Sequence, residues 1–258
     1  MNRIVLNVVC AFVFLINGYA QDGTYRVIGV TGRIVNQQSG NPLQANEQVD
    51  GRSTLMFGNA SDKAIVLSPS QERYRVELPA ASDQLTVSFD KSLREIKSRP
   101  LLATGTRGIE PVSPEALKKY FGADTFAIVG NSLNMQAKKS DIQKYDLIFR
   151  FEEKDKIRDV TFSDFVIRQN VIGSSQIDEC FILLREDEKI TPITSVALFF
   201  LNEKNLYQEF ATWLDVKNIK KSNSAEARKE LRQYCRDVYG VMDNSNLNDV
   251  VNRFLSSK

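Results

Sequence analysis

Apolar side chains recur at alternate positions through residues 24–35, with Ile28, Val30, Gly32 and Ile34 on one face, the period-two pattern of a half-buried strand. Short runs follow at TLMF (54–57), KAIVL (63–67) and RYRVEL (73–78), punctuated by Ser39-Gly40-Asn41-Pro42 and Ser68-Pro69-Ser70. Those punctuations are turn compositions. Several short strands in so small a span predict a small antiparallel β-barrel over residues 21–80. Residues 81–112 read as a connector: LTVSF (85–89) allows one more strand, and KSRPLLATGTRGIEPVS then mixes prolines, glycines and small residues. A short helix follows, with Ser113 as N-cap, Pro114 at its first position, Gly122 past its end and Leu117, Tyr120 and Phe121 along one side.

From 124 to 201 the alternation returns. Phe126 and Ile128, Leu133 and Met135, then Leu147, Phe149 and Phe151 point one way, with Arg150 and Glu152 pointing the other. CFILL (180–184) and SVALFFL (195–201) are apolar on both faces, as central strands with both sides covered would be. The charged stretch REDEKITP between them reads as a hairpin loop or an edge. The rest of the chain is helical. Residues 203–216 bury Leu206, Phe210, Trp213 and Leu214. Residues 224–239 carry the stripe Ala227, Leu231, Tyr234 and Val238 between Asn223 as N-cap and Gly240 as C′ residue. A final helix over 246–256 presents Leu247, Val250, Val251 and Phe254. The expected fold is therefore α+β and mostly β: a small N-terminal antiparallel β-barrel, then residues 113–258 as an antiparallel sheet or sandwich with C-terminal helices packed on it.

The run YRVIGVTGRIV, continued by LMF and KAIVLSPSQERYRVEL, resembles the small Src-homology-3-like β-barrel that opens many exported proteins of Bacteroidota. The resemblance covers residues 24–80 and rests on hydrophobic patterning and one turn. It implies a cell-envelope protein with a non-enzymatic module, and it carries no catalytic residue.

Residues 1–20 support the same address. Arg3 precedes a 13-residue apolar run, Ile4 to Ile16, interrupted only by Asn7. That is too short to cross a bilayer and fits the core of a secretory signal peptide. Gly18 and Ala20 supply the small residues needed for cleavage after Ala20. Arg3 is the only charge removed, so the net charge falls from +2 to +1. A chain so nearly neutral lacks the basic field of a nucleic-acid binder, and no membrane span is expected after cleavage. The expected location is periplasmic or secreted. Cys10 leaves with the signal, and Cys180 and Cys235 remain as a disulfide pair or as two buried thiols.

The chain contains no histidine. Ser-His-Asp triads, Cys-His dyads and the usual catalytic zinc sites all depend on imidazole, so none is available here. Ser88-Phe89-Asp90-Lys91 has Ser-x-x-Lys spacing in a strand-like or linker segment, without the partner motifs of penicillin-recognising enzymes. Asp243 begins a faint calcium-loop pattern but has Asn248 and Phe254 where glycine and glutamate are needed, so it reads as a helix cap. No phosphate-binding glycine motif occurs. No metal, cofactor or catalytic residue is assigned.

The acidic clusters Glu152-Glu153, Asp178-Glu179 and Glu186-Asp187-Glu188 fall where strands meet solvent, and Lys217, Lys220 and Lys221 form a basic patch between helices. Binding is left as the leading reading. Its candidate residue is Arg107, flanked by Gly105 and Gly108 in the connector; its expected partner is another envelope protein or peptide. The alternative is a histidine-free hydrolase using carboxylates or a Ser-Lys pair.

Overall fold

Gly32 decides how the first apolar run folds. In the computed structural model, which describes residues 23–257 except 61, 80, 81, 83 and 97–110, Gly32 takes φ +81° and turns the chain between β1 (Thr24–Thr31) and β2 (Ile34–Asn36). Ile28 to Ile34 therefore do not share one strand face. A register irregularity between Val27 and Gly29 shifts the alternation again, so Tyr25 and Val27 join the core while Val30 only packs against it. Positive φ favours glycine because it has no Cβ. Here space matters as well. A Cβ on Gly32 would lie 1.9 Å from Oδ1 of Asp62, whose other oxygen accepts from the backbone N–H groups of Gly58 and Asn59 at 2.8 and 2.9 Å.

The chain divides into two compact units, Met1–Ile96 and Lys97–Lys258. In the first, β1 joins β3 (Gln48–Asp50), β5 (Lys63–Leu67), β6 (Arg73–Glu77) and β8 (Leu93–Glu95) in an antiparallel sheet of order β3-β1-β5-β6-β8. A second sheet has the order β2-β4-β7, with β4 Thr54–Phe57 and β7 Thr86–Ser88. Both sheets bury side chains in one core that includes Tyr25, Leu55, Phe57 and Phe89. No sheet closes among the described residues, so the expected barrel is not shown. The first part of the expected connector is folded into this unit. Residues 86–95 form β7, the single turn α1 (Phe89–Ser92) and β8, because Phe89 is fully buried against Tyr25, ring centroids 4.8 Å apart.

In the second unit α2 (Pro114–Phe121) starts at Ser113, whose hydroxyl accepts from the N–H of Ala116. It leads into β9 (Thr125–Val129) and β10 (Ser132–Asn134), then α3 (Lys139–Lys144) and the hairpin β11 (Tyr145–Glu153) and β12 (Lys156–Phe162). There follow β13 (Val166–Arg168), α4 (Gln169–Ile172), β14 (Gln176–Glu186), β15 (Lys189–Leu201), α5 (Glu203–Val216), α6 (Ser224–Tyr239), β16 (Val241–Met242) and α7 (Asn244–Ser256). The main sheet has the order β12-β11-β14-β15-β9-β16, and β10 pairs with β13. Of the described residues 30% are helix and 41% strand, with antiparallel sheets and C-terminal helices. The β15-β9-β16 end departs from the expectation by pairing in parallel. Parallel strands need a crossover connection, and α5 and α6 carry the chain from β15 past β9 to β16.

The sheet is amphipathic strand by strand. Phe126, Ile128, Phe149, Phe151, Cys180, Ile182 and Leu198 face one core with Leu117 and Phe121 of α2. Ala127 and Val129 point the other way and are equally buried, under α6 and α7, which pack on β9. Because β16 is only two residues long, Val129 has no strand partner on that side. The Asn246 carboxamide substitutes, accepting from the Val129 N–H at 2.8 Å and donating to its carbonyl at 3.2 Å. Tyr120 then donates to Asp243, the N-cap of α7, at 2.9 Å, so α2 is tied to the helix layer.

Within that layer, Glu209 of α5 is buried, and one of its oxygens accepts from the hydroxyls of Tyr234 and Tyr239 of α6 at 2.8 and 2.6 Å. Burial pushes its carboxyl up to about 7, against the pull of the two hydroxyl bonds. The folded-state value lies above the ordinary 4.5, so the stability of the neutral form is whole below about 4.5 and is lost as pH rises through about 7.

Two outcomes follow for stability. Gly32→Ala should cost about 3 kcal/mol, read as lost amide-exchange protection in β1 and β5; unchanged protection would refute the crowding at Asp62. Glu209→Gln keeps an acceptor for both tyrosines and should flatten a decline of about 3 kcal/mol in unfolding free energy between about pH 5 and 8. Urea titrations across that range check it, and a decline that persists in the variant would exclude Glu209 as its source.

Candidate functional site: an acidic groove on the sheet

The β11–β12 hairpin turns at Lys154 and Asp155, both at positive φ, the conformation favoured in two-residue hairpins. The pleat then sends Leu147, Phe149 and Phe151 inward and Arg150 and Glu152 outward. On β14, Cys180 and Ile182 go inward while Phe181 goes outward, 44% exposed. Strand pairing sets these residues in rows. Asp159, Arg150, Phe181 and Ser195 are successive cross-strand partners on β12, β11, β14 and β15. In the neighbouring row Ile157, 78% exposed, faces Glu152. Glu152 follows Phe151 and Glu179 precedes Cys180, and Phe151 and Cys180 are the last pair between β11 and β14.

These rows border an open groove of about 540 Å³, backed by the buried Phe151 and Ile177. Its rim is held by arginine. Arg150 bonds Asp159 through both sides of its fork, each at 2.8 Å, and that bonding holds the Asp159 carboxyl below its usual range. Arg158 donates to Glu153 at 2.9 Å and to the carbonyls of Ile172 and Val171 at 2.9 and 2.8 Å, fixing the end of α4 against β12. Glu152, Glu153, Asp178 and Glu179 all line the groove. Among the described residues only Glu153 of the four has an ion-pair partner. Asp178 accepts from the Gln176 amide at 2.7 Å, and Glu179 from the Ser195 hydroxyl at 3.4 Å.

No family model, curated protein or solved structure matches the chain. The site is therefore argued from its own chemistry. Arg107, Gly105, Gly108 and Ala20 lie outside the described residues. Cys180 and Cys235 are both buried and free, and not at disulfide distance. Cys180 belongs to the core shared with α2, whereas Cys235 lies in α6, on the other face of the sheet, so of the two expected states the chain has the pair of buried thiols. Burial pushes the Cys180 thiol up to about 12 and raises that of Cys235 too, which leaves neither as a reactive thiolate.

The other candidates resolve into structure. Ser88 ends β7 and precedes α1, and Lys91 lies within that single turn, exposed. Asp243 caps α7 through the N–H of Asn246. Lys217 lies 4.9 Å from the Trp213 ring and Lys221 4.0 Å from that of Phe254, so these two lysines fasten the α5–α6 loop to α5 and α7 by cation–π contact. The sequence pattern reads the acidic pairs as separate solvated ends and CFILL as covered on both faces; the second holds at the buried Leu183 but not at Phe181. The signal for the groove was present in the alternation: if Cys180 and Ile182 face the core, Phe181 and Glu179 must face away.

Phe181 should consequently contribute little to folding. Phe181→Ser is expected to change unfolding free energy by no more than about 1 kcal/mol, whereas Phe149→Ala, which empties the core, should cost about 3–5 kcal/mol. Thermal and urea unfolding of the two variants decide it. Equal losses would make Phe181 a core residue and remove the groove's apolar anchor.

Proposed function

We propose that the protein is an exported, non-catalytic interaction or scaffold protein of the bacterial cell envelope, and that it engages its partner, another envelope protein or peptide, through the groove on β11, β12 and β14. The observation that carries this reading is Phe181, a large aromatic side chain displayed on a rigid strand beside a concave, charged surface. Aromatic anchors in such settings are where binding energy concentrates. The export half rests on the apolar run at Ile4–Ile16 and the small residues before Gln21, with a periplasmic or secreted destination. The resemblance of residues 24–80 to the Src-homology-3-like module of exported proteins supports the same address.

One observation favours a hydrolase instead: four carboxylates line one groove. All four are exposed. A catalytic acid is usually held protonated by a dry surrounding, which this open groove does not supply. The exposed Lys91 likewise lacks the desolvation that activates a lysine base.

The test is a photo-reactive amino acid at position 181 of the full chain, expressed in its host and irradiated in envelope fractions, with position 229 on the exposed side of α6 as the control. A discrete adduct at 181 and none at 229 is expected, on protein whose intact mass begins at Gln21. A mass retaining Met1–Ala20 would overturn export with cleavage, and no adduct at 181 would overturn the binding site.

A further inference from the structure

Resting on that reading of the groove, we infer that its occupant is a cationic segment of a partner protein, with a lysine or arginine two residues from an apolar side chain. The argument begins with an electrostatic cost. Like charges crowded on neighbouring strands are destabilising, yet Glu152 of β11 and Asp178 and Glu179 of β14 line one groove. The two arginines of the rim do not relieve them. Arg150 is committed to Asp159, and Arg158 to Glu153 and two carbonyls. Counting Arg150 against four carboxylates, the lining carries an excess of three negative charges.

The apolar positions give the arrangement its direction. Ile157 lies in the same row as Glu152, and Phe181 lies one row along β14 from Glu179. Successive rows on one face of a strand are about 7 Å apart, the spacing of residues i and i+2 in an extended chain. An extended segment running along β11 and β14 would set a cation over Glu152 and Glu179 and its i+2 side chain against Phe181. A cation placed here also approaches an aromatic face. A free metal ion is a poorer fit, since no group of three or more candidate ligands for one occurs among the described residues.

The experiment uses the full chain without residues 1–20, isotopically labelled, titrated with blocked Lys-Thr-Leu-Thr-Lys and, separately, with blocked Glu-Thr-Leu-Thr-Glu, and followed by amide chemical shifts. The lysine peptide should perturb residues 150–153, 157 and 176–181, and the response should weaken as salt rises past the point where screening reaches about 8–10 Å. Glu152→Gln combined with Glu179→Gln should weaken its binding about five- to twentyfold, while thermal unfolding of the double variant occurs no lower than in the parent. Equal response to both peptides, absence of response at the groove, or a double variant that binds as tightly as the parent would each overturn the cationic occupant. Such a result leaves the adduct at position 181 to decide separately whether the groove binds a partner at all.

Discussion

The structure of the second unit depends on how a mixed sheet with two unequal faces is covered. One face of β11, β14, β15 and β9 is apolar and packs with α2 into a single core. The other face buries Ala127 and Val129 of β9 and the paired Ile148 and Leu183 of β11 and β14, but leaves Arg150, Glu152 and Phe181 outside. The helices follow that division. They lie over β9 and β16, where uncovered apolar surface would cost about 25 cal/mol for each Å² left in water, and the β12–β11–β14 end keeps charged and aromatic side chains in solvent.

Covering β9 brings polar obligations of its own. A strand whose neighbour has only two residues leaves backbone groups to be satisfied, and an unmade buried hydrogen bond costs about 1–3 kcal/mol. Asn246 meets this need with one carboxamide that both accepts and donates. Glu209 is a second case, a carboxyl buried between two helices whose tyrosines satisfy a single oxygen. Such groups fix α5, α6 and α7 in one arrangement on the sheet more narrowly than apolar packing alone. The same arrangement places Cys235 on the far side of the sheet from Cys180.

The groove uses the rigidity that this core provides. Its acidic residues project from paired strands, and the bidentate Arg150–Asp159 bond and the Arg158 contacts fix the rim. A recognition surface on strands holds its geometry without a partner, so less ordering cost remains to be met on binding. Isolated exposed ion pairs contribute little to stability, and these arginines are better understood as positioning devices for the end of α4 and the rim.

Local signals determined much of this protein. The caps and stripes at 203–216 and 224–239 coincide with α5 and α6, because helix ends are set by hydrogen bonds within a few residues. Even there a detail differs: the Asn223 side chain bonds Glu226 rather than a backbone N–H. The alternation of Leu147, Phe149 and Phe151 likewise fixed which side of β11 meets the core. Tertiary structure alone decided what pairs with what. It folded residues 86–95 into the first unit because Phe89 found Tyr25, and it broke the first strand at Gly32 because Asp62 closes against it. It also brought Glu152 and Glu179 together from distant points in the chain, since strand register is chosen by the buried face and the exposed face is carried along with it.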